Sequence, residues 1–376
     1  MAGNLKVIFV CSSLEPGKDG VGDYCRRLAA ELIKQGNQCA LLSVNDRHID
    51  RVIATKQMLD GVEIPVMRVP VPGLSVKQNL AQAKTWVNGF NPHWLSLQFV
   101  TFGYHPKGLN VGLGRELQAL SAGRQWQIMF HELWVGMAKE EPAKLYWWGK
   151  VQKFLIRALI KELQPAVIQT QTRLYQQLIA KMGYQAGYLP LFGNIPADNK
   201  TLSPSNDQIT FLVFGSIHNG APIHKLAGEA SAYAQKHNKI TALTFIGHCG
   251  PEQDRWAKIW QAENLPVNIM GSQPPELISE MMFQATMGIS ATALAVVEKS
   301  GSFAAMREHG LPVMSLSKPW TPLGWHCRLS RRVSFLIKII WKNAFPLRWM
   351  SLQITVFRQF LLNLQMPLKT QKVFCK

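Results

Sequence analysis

At 376 residues the chain is long enough for two domains of ordinary size, each with its own core. Hydrophobic residues make up 47% and charged residues 17%, which excludes a disordered or collagen-like chain. The 41 lysines and arginines exceed the 23 acids by 18, but no Asp or Glu follows Glu308, where 11 of the bases lie, so the basic character belongs to the tail and not to a nucleic-acid-reading face.

The apolar run Leu5 to Val10, ending in serines and then glycines, predicts a buried parallel strand. From Asp23 to Gln35, Tyr24, Leu28 and Leu32 recur at helical spacing and Gly36 supplies a stop, which predicts the following helix. Further strands are expected at Cys39 to Val44, Trp94 to Phe99, Gln127 to His131 and Ala166 to Thr170. Right-handed crossovers then wind them into one doubly wound parallel sheet over residues 1–195. The segment Asn194 to Asp207, rich in Pro, Asn and Ser, predicts a linker. A second α/β domain is expected over residues 208–318. Its strands fall at Ile209 to Phe214, Leu243 to Ile246, Val267 to Met270, Met287 to Ser290 and Pro312 to Leu316, with helices at Lys225 to Lys236, Pro275 to Gln284 and Ser300 to His309. Two such sheets imply an interdomain cleft.

Residues 319–376 form an atypical basic tail with apolar stretches at Val333 to Trp341 and Trp349 to Leu364. Three readings fit it: an amphipathic helix on a membrane surface, a helix covering a domain, or a segment read out of frame. The abrupt loss of acids favours the last. The six cysteines lack the paired spacing of zinc sites, which predicts reduced thiols in a cytoplasmic protein. The apolar run at the N-terminus is short for a secretion signal, and no stretch of 18 apolar residues occurs, so secretion and membrane spanning are not expected.

Gly17, Gly20 and Gly22 lie between the first strand and helix, where backbone N–H groups can receive a phosphate or a sugar hydroxyl. Their order is G-x-x-G-x-G and not the dinucleotide fingerprint G-x-G-x-x-G. Asp46 nevertheless follows the second strand, where a ribose-binding acid would sit. A tight turn with no ligand explains the same glycines. Trp126, Trp134, Tyr146, Trp147 and Trp148 cluster near His131, and large aromatics at helical spacing read as core before they read as sugar platforms.

Taken in order, Val7 to Val10, Gly20-Val21-Gly22-Asp23-Tyr24, Phe130-His131-Glu132, Asn194-Ile195-Pro196 and Gly301 to Val313, ending in Gly310-Leu311-Pro312-Val313, resemble the group 1 (family 4) glycosyltransferases. The resemblance implies the GT-B fold, with two Rossmann-like domains, the first for the acceptor and the second for a nucleotide sugar. It implies a metal-independent transfer with retention, no cofactor beyond the nucleotide-sugar co-substrate, and a glycan or lipid-linked acceptor. No nucleic acid is expected as a partner, and membrane contact is expected only through the tail, at the inner face.

Under that resemblance His131 contacts the transferring sugar, and Glu298 is the first glutamate of the family's pair. Ser300, Gly301 and Ser302 at a helix start suit the diphosphate oxygens. The second glutamate of the pair falls on Ala305, leaving Glu308 as the nearby acid. The family's basic residues after the first strand of the second domain are also missing, and Lys225 is the substitute expected by chemistry. These departures keep a rival open: a glycosyltransferase-fold protein that binds a partner without catalysis.

Overall fold

The computed structural model describes residues 5–71, 76–197, 201–205 and 207–324; the expectations for the tail stretches lie outside them. The chain divides into two compact units. Among the described residues, the first runs to Gly136 and resumes at Glu141–Pro190, while Met137–Glu140 and residues 191–324 belong to the second.

In chain order the first unit contains β1 (Lys6–Cys11), α1 (Gly20–Lys34), β2 (Gln38–Asp46), β3 (Ile53–Leu59), β4 (Val62–Pro70), α2 (Val76–Phe90), β5 (Trp94–Phe99), α3 (Leu113–Gln118), β6 (Gln125–Phe130), α4 (Ala143–Leu163), β7 (Val167–Thr170), α5 (Arg173–Ala180) and β8 (Gly187–Tyr188). Its eight strands order as β3-β4-β2-β1-β5-β6-β7-β8. β1 and β5 are buried along almost their whole length, which is why they read as unbroken apolar runs and not as alternating ones. α1 begins at Asp19, whose carboxylate accepts the N–H groups of Val21 and Gly22, and it lays Tyr24, Leu28 and Leu32 on the sheet.

The expected all-parallel sheet fails at one edge, where β3 pairs antiparallel with β4. The two strands are joined by Asp60 and Gly61, both at positive φ, the backbone that a tight two-residue hairpin demands. β3 is largely exposed, so it lacks the apolar run that marked the other strands.

The second unit contains β9 (Gln208–Phe214), α6 (Ile223–His237), β10 (Ile240–Ile246), α7 (Glu252–Ala262), β11 (Val267–Ile269), α8 (Pro275–Gln284), β12 (Met287–Ser290), a 3₁₀ helix (Leu294–Lys299), α9 (Gly301–Glu308) and β13 (Val313–Ser315). All pairings in its sheet are parallel, in the order β11-β10-β9-β12-β13. On one face Ile209, Phe211 and Val213 meet Trp256 and Trp260 of α7 and the apolar side of α6. On the other, Leu212 and Ile246 meet Ile278 and Met282 of α8 and Ala305 and Met306 of α9. Ile195 is buried in that second cluster. The expected linker therefore starts inside the second unit, because this isoleucine gains more from burial than from staying exposed in a tether.

Candidate functional site

In an open parallel sheet the crevice for ligands lies beyond the carboxyl ends of the strands, where the strand order reverses. In the second unit that point is between β9 and β12. A cavity of about 390 Å³ opens there, lined by Phe214, Gly215, Ser216 and His218 after β9, Thr292 after β12, Lys299 to Ser302 at the start of α9, and Asn194. The volume is in the range of about 300–1,000 Å³ that small ligands occupy.

Each wall has a local cause. Gly215 holds φ +78°, a left-handed backbone that glycine adopts at little cost, and this turns the chain out of β9. Thr292 is fixed by its N–H donating to Ser290 Oγ at 3.3 Å and its carbonyl accepting from Ser315 Oγ at 2.8 Å. Ser300 is the N-cap of α9, its Oγ accepting the Phe303 N–H at 3.3 Å, and Ser302 Oγ lies 3.1 Å from it. The cavity thus collects two hydroxyls, a helix N-terminus carrying partial positive charge, and the Lys299 and His218 side chains. That combination suits an anion with several oxygens.

Ser300, Gly301 and Ser302 line this cavity, whereas Glu298, Lys225 and Glu308 do not. Glu298 sits in the 3₁₀ helix one residue before Lys299 and is absent from the lining. Lys225 is exposed on α6, 4.0 Å from Glu229, and Lys299 and His218 are the bases at the cavity. Glu308 accepts the Gly193 N–H at 2.9 Å and so braces the segment that carries Asn194. Ala305 is fully buried with its Cα only 2.6 Å from where a Gly193 Cβ would stand. A glutamate at position 305 would have to enter the apolar cluster of Leu212, Ile278 and Met306 in which Ala305 is fully buried.

In the first unit the corresponding reversal lies between β1 and β5, and it is packed with the protein's own groups. The loop after β5 presses Gly103 against Ser12, whose Oγ would stand 2.7 Å from a Cβ there, and Asn45 Nδ2 donates to the Gly103 carbonyl at 2.8 Å. Gly22 meets the Ser13 carbonyl so closely that a Cβ would lie 2.6 Å from it, while Gly20 faces open space. The N–H groups of Val21 and Gly22, offered to an anion on sequence grounds, are taken by Asp19 at 3.0 and 2.9 Å. Gly22 is thus explained by close packing, not by a ligand.

Asp46 is likewise consumed. It accepts from Arg68 Nε at 2.8 Å and Nη2 at 3.1 Å, from the hydroxyls of Ser13 and Ser43, and from the N–H groups of Leu14 and His48. Burial alone would raise its pKa; the Arg68 guanidinium and those N–H groups overcome it and hold the carboxyl at about 2. With its oxygens so occupied it has no lone pair left for a ribose.

His131 directly follows β6 and is buried. Its Nε2 lies 2.8 Å from Gln98 Oε1, and its ring meets Tyr24 edge-on at 5.0 Å. Burial lowers its pKa to about 4, with a Gln171 hydrogen bond opposing, so it is a neutral hydrogen-bonding group at physiological pH. Behind it runs a buried uncharged ladder: Gln98 Nε2 donates to Ser96 Oγ at 2.6 Å, Ser96 bonds Gln127, and Gln127 Nε2 donates to Gln169 Oε1 at 3.0 Å.

Phe214, Gly215, Ser216 and Thr292 line the cavity without a role assigned to them from sequence, whereas Asn194 belongs to the Asn194-Ile195-Pro196 motif and Lys299 and His218 are bases flanking the expected phosphate loop. The signal available for most of them was position: they follow parallel strands flanking a reversal of strand order, a topology visible only once the strands are ordered.

No protein-family model matches the chain, and no curated protein matches it by sequence. Solved structures do. HepE of Anabaena, in complex with UDP, is 14% identical with a TM-score of 0.52, over 95% of each chain. The lipopolysaccharide outer core galactosyltransferase WaaB is 12% identical with a TM-score of 0.54, over 96% of this chain and 99% of that one. A glycosyltransferase of Rickettsia africae is 11% identical with a TM-score of 0.51, over 96% of this chain and 94% of that one. At such identities the likeness establishes the architecture: the chain adopts the GT-B glycosyltransferase fold.

Proposed function

We propose that the chain is a glycosyltransferase that takes a sugar from a nucleoside-diphosphate donor and passes it to a glycan or lipid-linked acceptor hydroxyl, with retention and without a metal. The observation that carries this reading is the second unit's cavity, where the α9 N-terminus, Ser300, Ser302 and Lys299 converge. The diphosphate lies on those donors, which stabilise the negative charge that grows as the bond between the anomeric carbon and the phosphate oxygen breaks. The acceptor hydroxyl forms the new glycosidic bond and gives its proton to the departing diphosphate. On the family resemblance, Glu298 orients the donor sugar, and the neutral His131 of the first unit serves as a hydrogen-bonding group and not as an acid. UDP in the crystal structure of HepE makes a uridine donor the first to test.

Non-catalytic binding is the second reading, favoured by one observation: the position of the second acid is held by Ala305, fully buried in an apolar cluster. Incubation with UDP-, GDP- and ADP-sugars, followed by NMR of the released or transferred sugar, separates the two. Turnover of one donor, with the anomeric proton of the product matching that of the donor, supports the transferase; nucleotide binding with no turnover of any donor leaves the binding protein.

A further inference from the structure

The aromatic cluster expected in the core is divided by the structure. Trp126 and Trp134 are buried, but Trp147 and Phe154 are each 67% exposed, Val151 48% and Tyr146 38%. Trp147, Val151, Phe154 and Ala158 follow one another at i, i+4, i+7 and i+11 on α4, so they form one straight stripe along the helix. Leaving two large aromatics in water along a single stripe is costly unless something covers them.

The charges beside the stripe are of one sign. α4 carries Lys144, Lys150, Lys153, Arg157 and Lys161 against a single acid, Glu162. Glu162 pairs with Arg115 of α3 at 3.5 Å and borders Gly114 of that helix, so it faces inward. Lys150, Arg157 and Lys161 are exposed and share a row adjacent to the apolar stripe. Lys150 lies over the Tyr146 ring at 4.9 Å and Lys153 over the Trp134 ring at 5.2 Å, which keeps the cationic heads close to the aromatic surface. Burial and the nearby Arg157, Lys150 and Lys181 charges lower the Lys153 pKa, as expected where bases crowd without compensating acids.

An apolar stripe of Trp and Phe beside a cationic row is the arrangement of a helix lying in a bilayer interface, rings among the acyl chains and ammonium groups on lipid phosphates. We propose that the outward face of α4 docks the first unit on an anionic phospholipid surface. This contact is independent of the donor cavity. Among the described residues no helix is long and apolar enough to cross a membrane, so the attachment is peripheral.

The test is co-sedimentation of the full chain with vesicles of phosphatidylcholine alone and with about one third phosphatidylglycerol. Three proteins are compared: the wild type, the Trp147→Glu/Phe154→Glu double variant, and the Lys150→Glu/Arg157→Glu double variant. All four side chains point outward, and equal melting temperatures confirm that the variants fold. The wild type is expected to bind the anionic vesicles, to lose about tenfold in affinity on the neutral ones, and to release as salt rises; each double variant is expected to lose at least about tenfold on anionic vesicles. Undiminished binding of both variants overturns the proposal and points to another surface. Equal binding of the wild type to neutral vesicles removes its electrostatic half. No vesicle binding, together with a wild-type dimer that the aromatic variant turns into a monomer, overturns it in favour of a second copy of the chain as occupant.

Discussion

The two units place a reversal of strand order at the same point in the same kind of sheet and use it in opposite ways. Between β1 and β5 the crevice is filled: Ser12 meets Gly103, Asp19 takes the helix N–H groups, and Asp46 with Arg68 locks the loop behind them. Between β9 and β12 it stays open, and hydroxyls, a helix N-terminus and a lysine face about 390 Å³ of space. Topology therefore supplies the place for a ligand, and the loop side chains decide whether space is left there.

The largest effect that would break this comparison is expected at the filled crevice. Asp46→Ala leaves Arg68 buried without its main partner, and removing one member of such a pair costs about 3–5 kcal/mol. Chemical denaturation should show that loss in the first unit, with UDP binding to the folded fraction unchanged. Behind the open crevice, Ala305→Glu buries a carboxylate among Leu212, Ile278 and Met306. It should cost on the order of 3 kcal/mol and displace the segment bearing Asn194, so that any gain in donor binding would contradict the packing described.

Acid should also separate the two crevices. His131 has a folded pKa of about 4 against an ordinary 6.5, so the unfolded chain takes the proton first. The stability this contributes is complete above about pH 6.5 and is lost as pH falls toward 4, about 3 kcal/mol in all. Asp46, at about 2 against 3.8, contributes above about pH 4 and loses about 2 kcal/mol as pH falls toward 2. Hydrogen exchange at pH 7, 5 and 4 should therefore loosen β6 and the neighbouring strands first, and a His131→Gln variant should flatten the upper part of that dependence. The smallest effect sharpens the open crevice alone: Lys299→Ala should weaken UDP about tenfold, equivalent to about 1.4 kcal/mol, with stability unchanged in a melt without ligand.

Most of the fold was legible because buried parallel strands announce themselves as apolar runs; Val7 to Val10 and Leu212 to Phe214 carry no other message. β3 was not legible, since Ile53–Leu59 is exposed and contains two lysine or glutamine positions where a core strand would place apolar groups; only Asp60-Gly61 signalled its hairpin. In the site, Ser300 to Ser302 were legible because N-cap chemistry is local. Lys225 was misleading and Lys299 undervalued, because which base reaches a cavity depends on how a loop turns after its strand, and Gly215 sets that turn. Trp147 misled in another way: helical spacing marks a stripe but does not say which side of the helix meets the sheet.

The most direct measurement is calorimetric titration of UDP, with GDP and ADP alongside, into the wild type, the Lys299→Ala/Ser302→Ala double variant and Lys225→Ala. If the open crevice of the second unit holds a nucleoside diphosphate, one nucleotide binds the wild type and Lys225→Ala with equal affinity and binds the double variant at least about tenfold more weakly. Equal affinity of the double variant, or no heat from any nucleotide with a cooperatively folded protein, would contradict it.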